Sequence, residues 1–295
     1  MYVKIEDVID LFRGDETRVL SEIKHVWAIF WANFKIFLSY RTWVIMETIS
    51  TIASVAMYSF MGLQVDARRV ALAGYGEVDW LSFALVGVAT ANYLWMCISR
   101  LSHSLQHEIR EGTLEPIITS PVNMRSYIIG QSIRGFLVSG YFMLGVLLVG
   151  VWVLKVPLII NLETTLSFII VVLLMVLSYA GIGIMAAGLI LVYKKGDPLT
   201  FLFASVTEFL GGVLFPLKYL ESFPALYFLA WFMPYTYALD AARRILLNGA
   251  TILSPLVLMD VAVLIAYTVI FIPIGLRVFR WGINRIRYEG TVATY

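Results

Sequence analysis

The residues whose types and spacing suggest chemistry are concentrated in one polar stretch, HSLQHEIREGTLEPIITSPV, at positions 103–122. His103 and His107 are four residues apart, a spacing with which helical histidines bind metal ions. The chain has only 3 histidines and no H-E-x-x-H motif, so the ligand set of a membrane di-iron enzyme cannot be assembled. We expect no bound metal and, because nucleophiles and acids are not clustered elsewhere, no enzymatic activity.

The acidic residues of this stretch share one helical face. Glu108, Glu111 and Glu115 are three and four residues apart, which aligns them along a helix. Gly112 weakens that helix, and the proline that follows is expected to end it near Glu115. The spacing predicts a short acidic helix over about residues 103–118. It is either a solvated connector or a surface that pairs with basic groups of a partner.

The elements on either side of this stretch are predicted membrane spans. The chain is 60% hydrophobic and 14% charged, against about 45–50% and about 25% in soluble domains. Several apolar windows are long enough to cross a hydrocarbon core of about 30 Å. We predict an all-α polytopic protein with one membrane domain over 43–278. Its six spans are predicted at 43–63, 80–101, 127–154, 165–193, 199–217 and 255–276.

Lysine and arginine residues indicate which side of the membrane each loop faces. Most of the 22 such residues lie in the N-terminal segment 1–42, in the second-to-third connection, directly after the fourth span and in the C-terminal tail 279–295. Because basic loops remain cytoplasmic, both termini and the polar stretch are predicted on the cytoplasmic side of the plasma membrane. Aromatic residues at helical spacing over 26–41 predict an interfacial helix before the first span.

An apolar, proline-punctuated stretch over about 222–248 separates the fifth and sixth spans. Each half is too short to cross the membrane, so we predict an extracellular hairpin that is re-entrant or interfacial. Within it, Asp240 and Arg243 are three residues apart, which would allow a local ion pair.

Polar residues inside the predicted spans are candidates for a permeation path. Glu47 and Glu208 are intramembrane carboxylates, which usually face a cavity or a partner. Their alternative roles are structural, such as pairing with Arg41 or lying near an interface. Asn92 is a further candidate for the path. The fourth span also contains small residues that suit close helix packing, namely Gly181, Gly183, Ala186, Ala187 and Gly188.

Two blocks of the sequence resemble the ABC-2 family of ABC transporter permeases. The first is EIREGTLE at 108–115, followed by SPV at 120–122. The second comprises LFPL at 214–217, FP at 223–224, MPYTYALD at 233–240 and ARRILLNG at 242–249. The blocks occur in the family's order on a chain of family length, so the resemblance covers nearly the whole sequence.

The resemblance implies roles for both blocks. In this family the first block forms a cytoplasmic coupling helix that docks into a separate nucleotide-binding subunit. The implied contact residues are Glu108, Glu111, Gly112, Thr113 and Glu115. The second block resembles extracellular helices that line the exit of the permeation path. The residues carried over to this hairpin are Pro216, Pro224, Pro234, Tyr237, Asp240 and Arg243.

A transporter of this kind needs an ATPase, and the chain lacks the phosphate loop G-x-x-x-x-G-K-[ST], because none of its lysines precedes Ser or Thr. We therefore expect ATP and Mg²⁺ to bind a partner ABC ATPase and no cofactor to bind this chain. Six spans are half of a typical transmembrane unit, which implies a homodimer or a heterodimer with a second permease. The remaining contacts are with membrane lipid, and no nucleic acid is expected.

The expected function is that of the permease subunit of an ABC exporter. The apolar composition and the likeness to drug-resistance permeases favour a hydrophobic or amphipathic substrate such as a drug, an antibiotic or a lipid, moved outward by alternating access. Polysaccharide export and sodium export are the alternatives within the family. A channel or secondary transporter that works without ATP is the alternative outside it.

Overall fold

The computed structural model describes residues 22–37, 39–62, 78–113, 116, 124–193 and 205–289. Every regular element among these residues is helical, which confirms the predicted all-α class. In chain order the helices are α1 (22–37), α2 (Arg41–Gly62), α3 (Trp80–Arg110), α4 (Met124–Trp152), α5 (Leu162–Tyr193), α6 (205–210), a 3₁₀ helix (Leu217–Ser222), α7 (Pro224–Trp231), α8 (Pro234–Asn248) and α9 (Pro255–Glu289).

Within the described part of the chain, four helices contain segments long and apolar enough to cross a membrane. They correspond to the predicted second, third, fourth and sixth spans, and their apolar segments are Trp80–Ile98, Ile129–Trp152, Leu162–Ile190 and Pro255–Arg285. The chain is therefore an integral membrane protein. The last helix continues to Glu289 instead of ending near 276. The predicted first span coincides with α2, whose apolar part, Val44–Met57, is shorter than these four.

The predicted fifth span, 199–217, lies partly outside the described residues. From 205 onward the chain is helical only to 210, so this helix ends earlier than the apolar window suggested. The reason is local, because Gly211 and Gly212 follow and Gly212 has φ +69°, a left-handed conformation that terminates helices. Six crossings remain a prediction.

The direction in which α5 packs against α9 supports a further membrane crossing by the chain between these two helices. A Cβ atom at Gly275 would overlap the carbonyl oxygen of Gly181, and one at Gly282 would lie 2.5 Å from that of Gly188. From the first contact to the second, the residue number increases by seven on each helix. The two helices therefore run parallel, with their backbones in contact. The start of α9 therefore lies at the same end of the bundle as the start of α5.

Helix α8 lies inside the bundle, where it packs against α3, α5 and α9. It runs antiparallel to α3, because Tyr235 contacts Gly87 while Arg243 contacts Phe83. Gly87 is seven residues into the span that begins at Trp80, a depth of roughly 10 Å at 1.5 Å per residue. The connection between α7 and α8 thus lies beside the α3 span, and whether the hairpin is re-entrant or interfacial stays a prediction.

Helix α1 occupies most of the range predicted for the interfacial helix. It packs closely on α4, where a Cβ atom at Gly130 would lie 2.9 Å from the Ile29 side chain. Its opposite face exposes Trp27 and Trp31, whose rings stack with centroids 6.2 Å apart. An apolar aromatic face left uncovered beside a membrane bundle is consistent with an interfacial position.

Candidate functional site

A half-open cavity of about 270 Å³ lies between α3, α6 and the beginning of α8. Since its α3 wall belongs to the span Trp80–Ile98, the cavity is at membrane depth. Its polar and aromatic lining residues come from three distant segments, and they are Asn92, Trp95, Ser205, Thr207, Glu208 and Tyr235.

One face of α3 forms the apolar part of the wall. Ala91, Leu94, Trp95 and Ile98 line the cavity at spacings of three and four residues, which places them on the same side of a helix. Asn92, on the edge of that face, is exposed. The cavity therefore combines an apolar wall with a polar rim, as small-molecule sites commonly do.

The third wall of the cavity is Tyr235 at the beginning of α8, and the hydroxyl group of this residue holds it against α3. This residue is fully buried, and its hydroxyl donates to the carbonyl oxygen of Gly87 at 3.0 Å and lies 3.0 Å from the hydroxyl of Thr90. Its backbone N–H donates to the hydroxyl of Tyr179 at 3.4 Å. Tyr235 was not among the predicted site residues. The available signal was its place in the MPYTY motif.

The three predicted path residues do not all meet. The structure brings Asn92 and Glu208 to the same cavity, although they are more than a hundred positions apart in the chain. Glu47 lies on α2, which packs against α3 and α4, and it is absent from the described lining of the cavity. Whether Glu47 lies on a permeation path therefore stays a prediction.

The predicted acidic helix over 103–118 differs from what the structure shows. Residues 103–110 are the continuous end of α3, which stops at Arg110 rather than near Glu115. Gly112 has φ +69°, and the backbone N–H of Thr113 donates to the carbonyl oxygen of Glu108 at 2.9 Å. This is the Schellman pattern, in which a left-handed glycine ends a helix. Glu115 lies outside the described residues.

The side chain of Glu108 is engaged within the chain. Its carboxylate accepts hydrogen bonds from the Thr113 hydroxyl and, at 3.2 Å, from the hydroxyl of Tyr127 on α4. Gln131 donates to the same Tyr127 hydroxyl at 3.3 Å. Glu108 therefore joins both sides of the loop between α3 and α4, whereas Glu111 and Gly112 are exposed.

Replacing Glu108 by alanine is expected to loosen this loop. Loss of the two carboxylate hydrogen bonds should cost about 1 kcal/mol at this half-buried site, which corresponds to amide exchange roughly fivefold faster over the described residues beside the loop, 111–113 and 124–127. Hydrogen–deuterium exchange of the purified protein measures this. Glu163→Ala, which removes an exposed carboxylate from the start of α5, is the control and should leave exchange near the wild-type rate. Equal exchange in the two variants would show that Glu108 does not hold the loop.

Arg243 and Asp240 do not form the ion pair that their spacing allowed. Asp240 pairs instead with Arg244, whose Nε lies 2.8 Å from the carboxylate. Arg243 is 3% exposed and donates to the carbonyl oxygens of Phe83, Gly212 and Val213, the last at 2.7 Å. Its guanidinium carbon lies 3.3 Å from the centroid of the Phe83 ring. Arg243 thus connects α8 to α3 and to the turn after α6.

The remaining hairpin residues hold helix ends in place. Pro224 and Pro234 are the first residues of α7 and α8, where a missing N–H costs nothing. Pro216 directly precedes the 3₁₀ helix. The ring of Tyr237 packs edge-on against Trp231 with centroids 5.4 Å apart, which ties α8 to α7. None of these four residues lines the cavity described above.

Comparison with known proteins gives one result that covers most of the chain. The family model described as ABC-2 type transporter matches residues 24–247, from α1 to the last turn of α8. No curated protein sequence matches the chain.

Proposed function

Since the chain belongs to the ABC-2 type transporter family, we propose that it is the permease subunit of an ABC exporter. Members of this family are transport subunits and are not themselves catalytic. The substrate that we propose is hydrophobic or amphipathic, such as a drug, an antibiotic or a lipid. It moves outward by alternating access, and a separate ATPase subunit, which binds ATP and Mg²⁺, supplies the energy.

The continuity of α3 is the observation that carries this proposal. The same helix lines the cavity with Asn92 and Trp95 and ends in the exposed turn at Glu111 and Gly112. From Trp95 to Arg110 the helix is about 22 Å long at 1.5 Å per residue. A partner that pushes on the exposed turn would move the cavity wall directly, because an α-helix transmits displacement along its axis as a rigid element.

The re-entrant hairpin gives this mechanism its outer gate. Helix α8 places Tyr235 at the cavity, and Arg243 anchors the same helix to α3. A displacement of α3 would therefore be passed to α8 and would change the outer side of the cavity. The basic N-terminal and C-terminal segments support a cytoplasmic position for both termini, on the side where we propose that the ATPase binds.

A second permease copy would complete the site. The cavity is half open, and both Asn92 and Glu208 are exposed on the isolated chain. Polar residues exposed at membrane depth are costly unless they face water or a protein partner. This supports a dimer, either of two identical chains or with a related one.

A charge reversal at Glu111 tests the ATPase interaction. The exposed carboxylate at the end of α3 should attract basic groups of the ATPase, so Glu111→Lys is expected to reduce the amount of co-purified ATPase about tenfold or more. Pull-down of the tagged chain from its native membranes, with partners identified by mass spectrometry, measures this. Glu163→Lys is the control, because Glu163 is exposed at the start of α5.

The outcomes of that pull-down separate the candidate functions. A wild-type chain that brings down an ATPase, and a Glu111→Lys variant that does not, would support the permease. A wild-type chain that repeatedly comes down without an ATPase would favour an ATP-independent channel or carrier. Polysaccharide or sodium export would be recognised when the purified complex is screened for substrates that stimulate ATP hydrolysis.

A further inference from the structure

We propose that the cavity selects amphipathic organic cations, whose charged group binds the carboxylate of Glu208 while an attached ring packs on Trp95. This inference deepens the proposed function, on which it rests, by naming the substrate class of the same site. It concerns binding to this chain, so it can be tested without the ATPase.

The charge of the cavity is the first argument. Glu208 is the one charged residue in the described lining, and no lysine or arginine lines the cavity there. Among the described residues the Glu208 carboxylate has no hydrogen-bond or ion-pair partner. Asp240 differs, since Arg244 lies 2.8 Å from it. A carboxylate held at membrane depth without a countercharge is costly, and a cationic ligand would supply that countercharge.

The aromatic and apolar wall is the second argument. Trp95, Leu94 and Ile98 form one side of the cavity. An indole face attracts a cation through its ring quadrupole and also removes the apolar part of a ligand from water. A neutral lipid chain would use the wall but leave Glu208 unpaired, and an anion would be repelled. A ligand that carries both a positive charge and an aromatic or aliphatic body fits the Glu208 carboxylate and the apolar wall together.

The chemistry of the lining argues against an alkali metal ion. Hard cations bind in shells of several oxygen atoms on all sides. Here the side opposite the oxygen donors Asn92, Ser205, Thr207 and Glu208 is the apolar face of α3. The remaining oxygen donor of the described lining, the Tyr235 hydroxyl, is already hydrogen-bonded to Gly87. Amines and quaternary ammonium or phosphonium groups need no such shell. They suit one carboxylate together with an aromatic face.

The size of the cavity limits how much of the ligand it holds. Sites that enclose a drug-sized molecule measure about 300–1,000 Å³, and this cavity is about 270 Å³ and half open. It therefore accommodates the charged group and one ring, while the remainder of the ligand extends beyond the chain. Specificity would then depend on the charge and the first ring more than on the rest of the molecule.

Two probe ions of the same shape and opposite charge test the proposal. Tetraphenylphosphonium and tetraphenylborate are titrated into the purified full-length chain in lipid nanodiscs, and equilibrium binding is measured. The wild type should bind the phosphonium. Glu208→Gln is expected to weaken this binding about tenfold or more, because the ion pair is lost at membrane depth. Glu208→Asp, which keeps the charge, should stay within roughly threefold of wild type, and Trp95→Leu should lose about threefold to tenfold.

The controls make each outcome decisive. Glu163→Gln removes an exposed carboxylate from the start of α5 and should bind the phosphonium as the wild type does. All variants must elute as single species and unfold at similar temperatures. The proposal is overturned if Glu208→Gln binds the phosphonium as tightly as wild type, if wild type binds both probes alike or binds neither, or if millimolar sodium displaces the phosphonium. Absence of a co-purifying ATPase would contradict the proposed function but would leave this result unchanged.

Discussion

Replacement of Arg243 by methionine is expected to lower the free energy of unfolding by about 3–5 kcal/mol. The guanidinium group donates four hydrogen bonds to the carbonyl oxygens of Phe83, Gly212 and Val213 in a fully packed site. Methionine preserves the apolar stem but leaves those acceptors buried without their donor, at a cost of about 1–3 kcal/mol for each such group. The turn after α6 depends most on these bonds, because two of the three carbonyls belong to it.

The neighbouring residue provides a matched control for this prediction. Arg244 has the same side chain and forms an i,i+4 ion pair with Asp240 on the partly exposed side of α8. Arg244→Met should therefore cost about 1–2 kcal/mol, because losing this half-buried, charge-assisted hydrogen bond is a smaller loss than that of four buried ones. Denaturation of the purified variants by SDS in mixed micelles measures both values. Similar losses at the two positions would mean that the buried hydrogen bonds of Arg243 do not hold α8 in place.

Lysine at position 243 separates charge from geometry. A lysine ammonium keeps the positive charge, but it cannot present the planar set of donors that reaches three carbonyl groups at once. We expect Arg243→Lys to recover no more than about half of the stability lost in Arg243→Met. Full recovery would show that charge alone is sufficient at this site.

Alanine at Gly181 is expected to destabilise the bundle by about 2–3 kcal/mol, the second large effect. Its Cβ atom would overlap the carbonyl group of Phe271 on α9, and that group is backbone, which cannot rotate away as a side chain can. Helices α5 and α9 would have to separate, and overpacking of this kind usually costs about 1–3 kcal/mol. The reciprocal variant, Gly275→Ala, meets the carbonyl oxygen of Gly181 and should have a similar effect.

Gly183 is the matched control on the same helix. A Cβ atom there has no neighbour within 4 Å in the structure. Because alanine favours a helix over glycine by about 1 kcal/mol, Gly183→Ala should leave stability unchanged or increase it by up to that amount. The same SDS titration compares the variants. A loss at Gly183 equal to that at Gly181 would contradict the close contact between α5 and α9.

The sequence alone could not predict which of the two alanine substitutions, at Gly181 or at Gly183, lowers the stability of the bundle. Gly181, Gly183 and Gly188 all belong to one run of small residues, and all were expected to support helix packing. Only Gly181 and Gly188 lie against the backbone of α9, whereas Gly183 is turned to another side of α5. Which glycine faces which neighbour depends on the rotation of one helix against another, and that rotation is a property of the assembled bundle.

The rotation of a helix within the bundle also explains why the neighbouring residues Arg243 and Arg244 have different surroundings. Arg243 and Arg244 have equal local propensities, and their spacing from Asp240 allowed either pair. Successive residues of a helix point about 100° apart, so α8 turns one arginine into the interior and leaves the other beside the carboxylate. The packing of α8 against α3 and α9 determines which of the two arginines is buried.

The end of α3 shows what the local sequence can and cannot predict about a helix terminus. Gly112 was recognised as a residue that weakens a helix, and the structure shows that it ends the helix instead. The hydrogen bond from Tyr127 to Glu108 reinforces this end, and it comes from another helix. A glycine can interrupt, bend or terminate a helix, and tertiary contacts decide which of these occurs.

By itself, the amino-acid sequence determined the all-helical class, the likeness to the transporter family and the presence of charged residues at unusual places. It predicted six spans, and four of them correspond to long apolar helices among the described residues. These properties follow from composition and from spacing within a few turns of chain, where neighbours in sequence are also neighbours in space. The tertiary structure alone decided that residues 91–98, 205–208 and Tyr235 meet in one cavity, that Glu47 lies apart, and that Arg243 is buried. Contacts between distant segments depend on how the helices pack as a whole, which no local pattern contains.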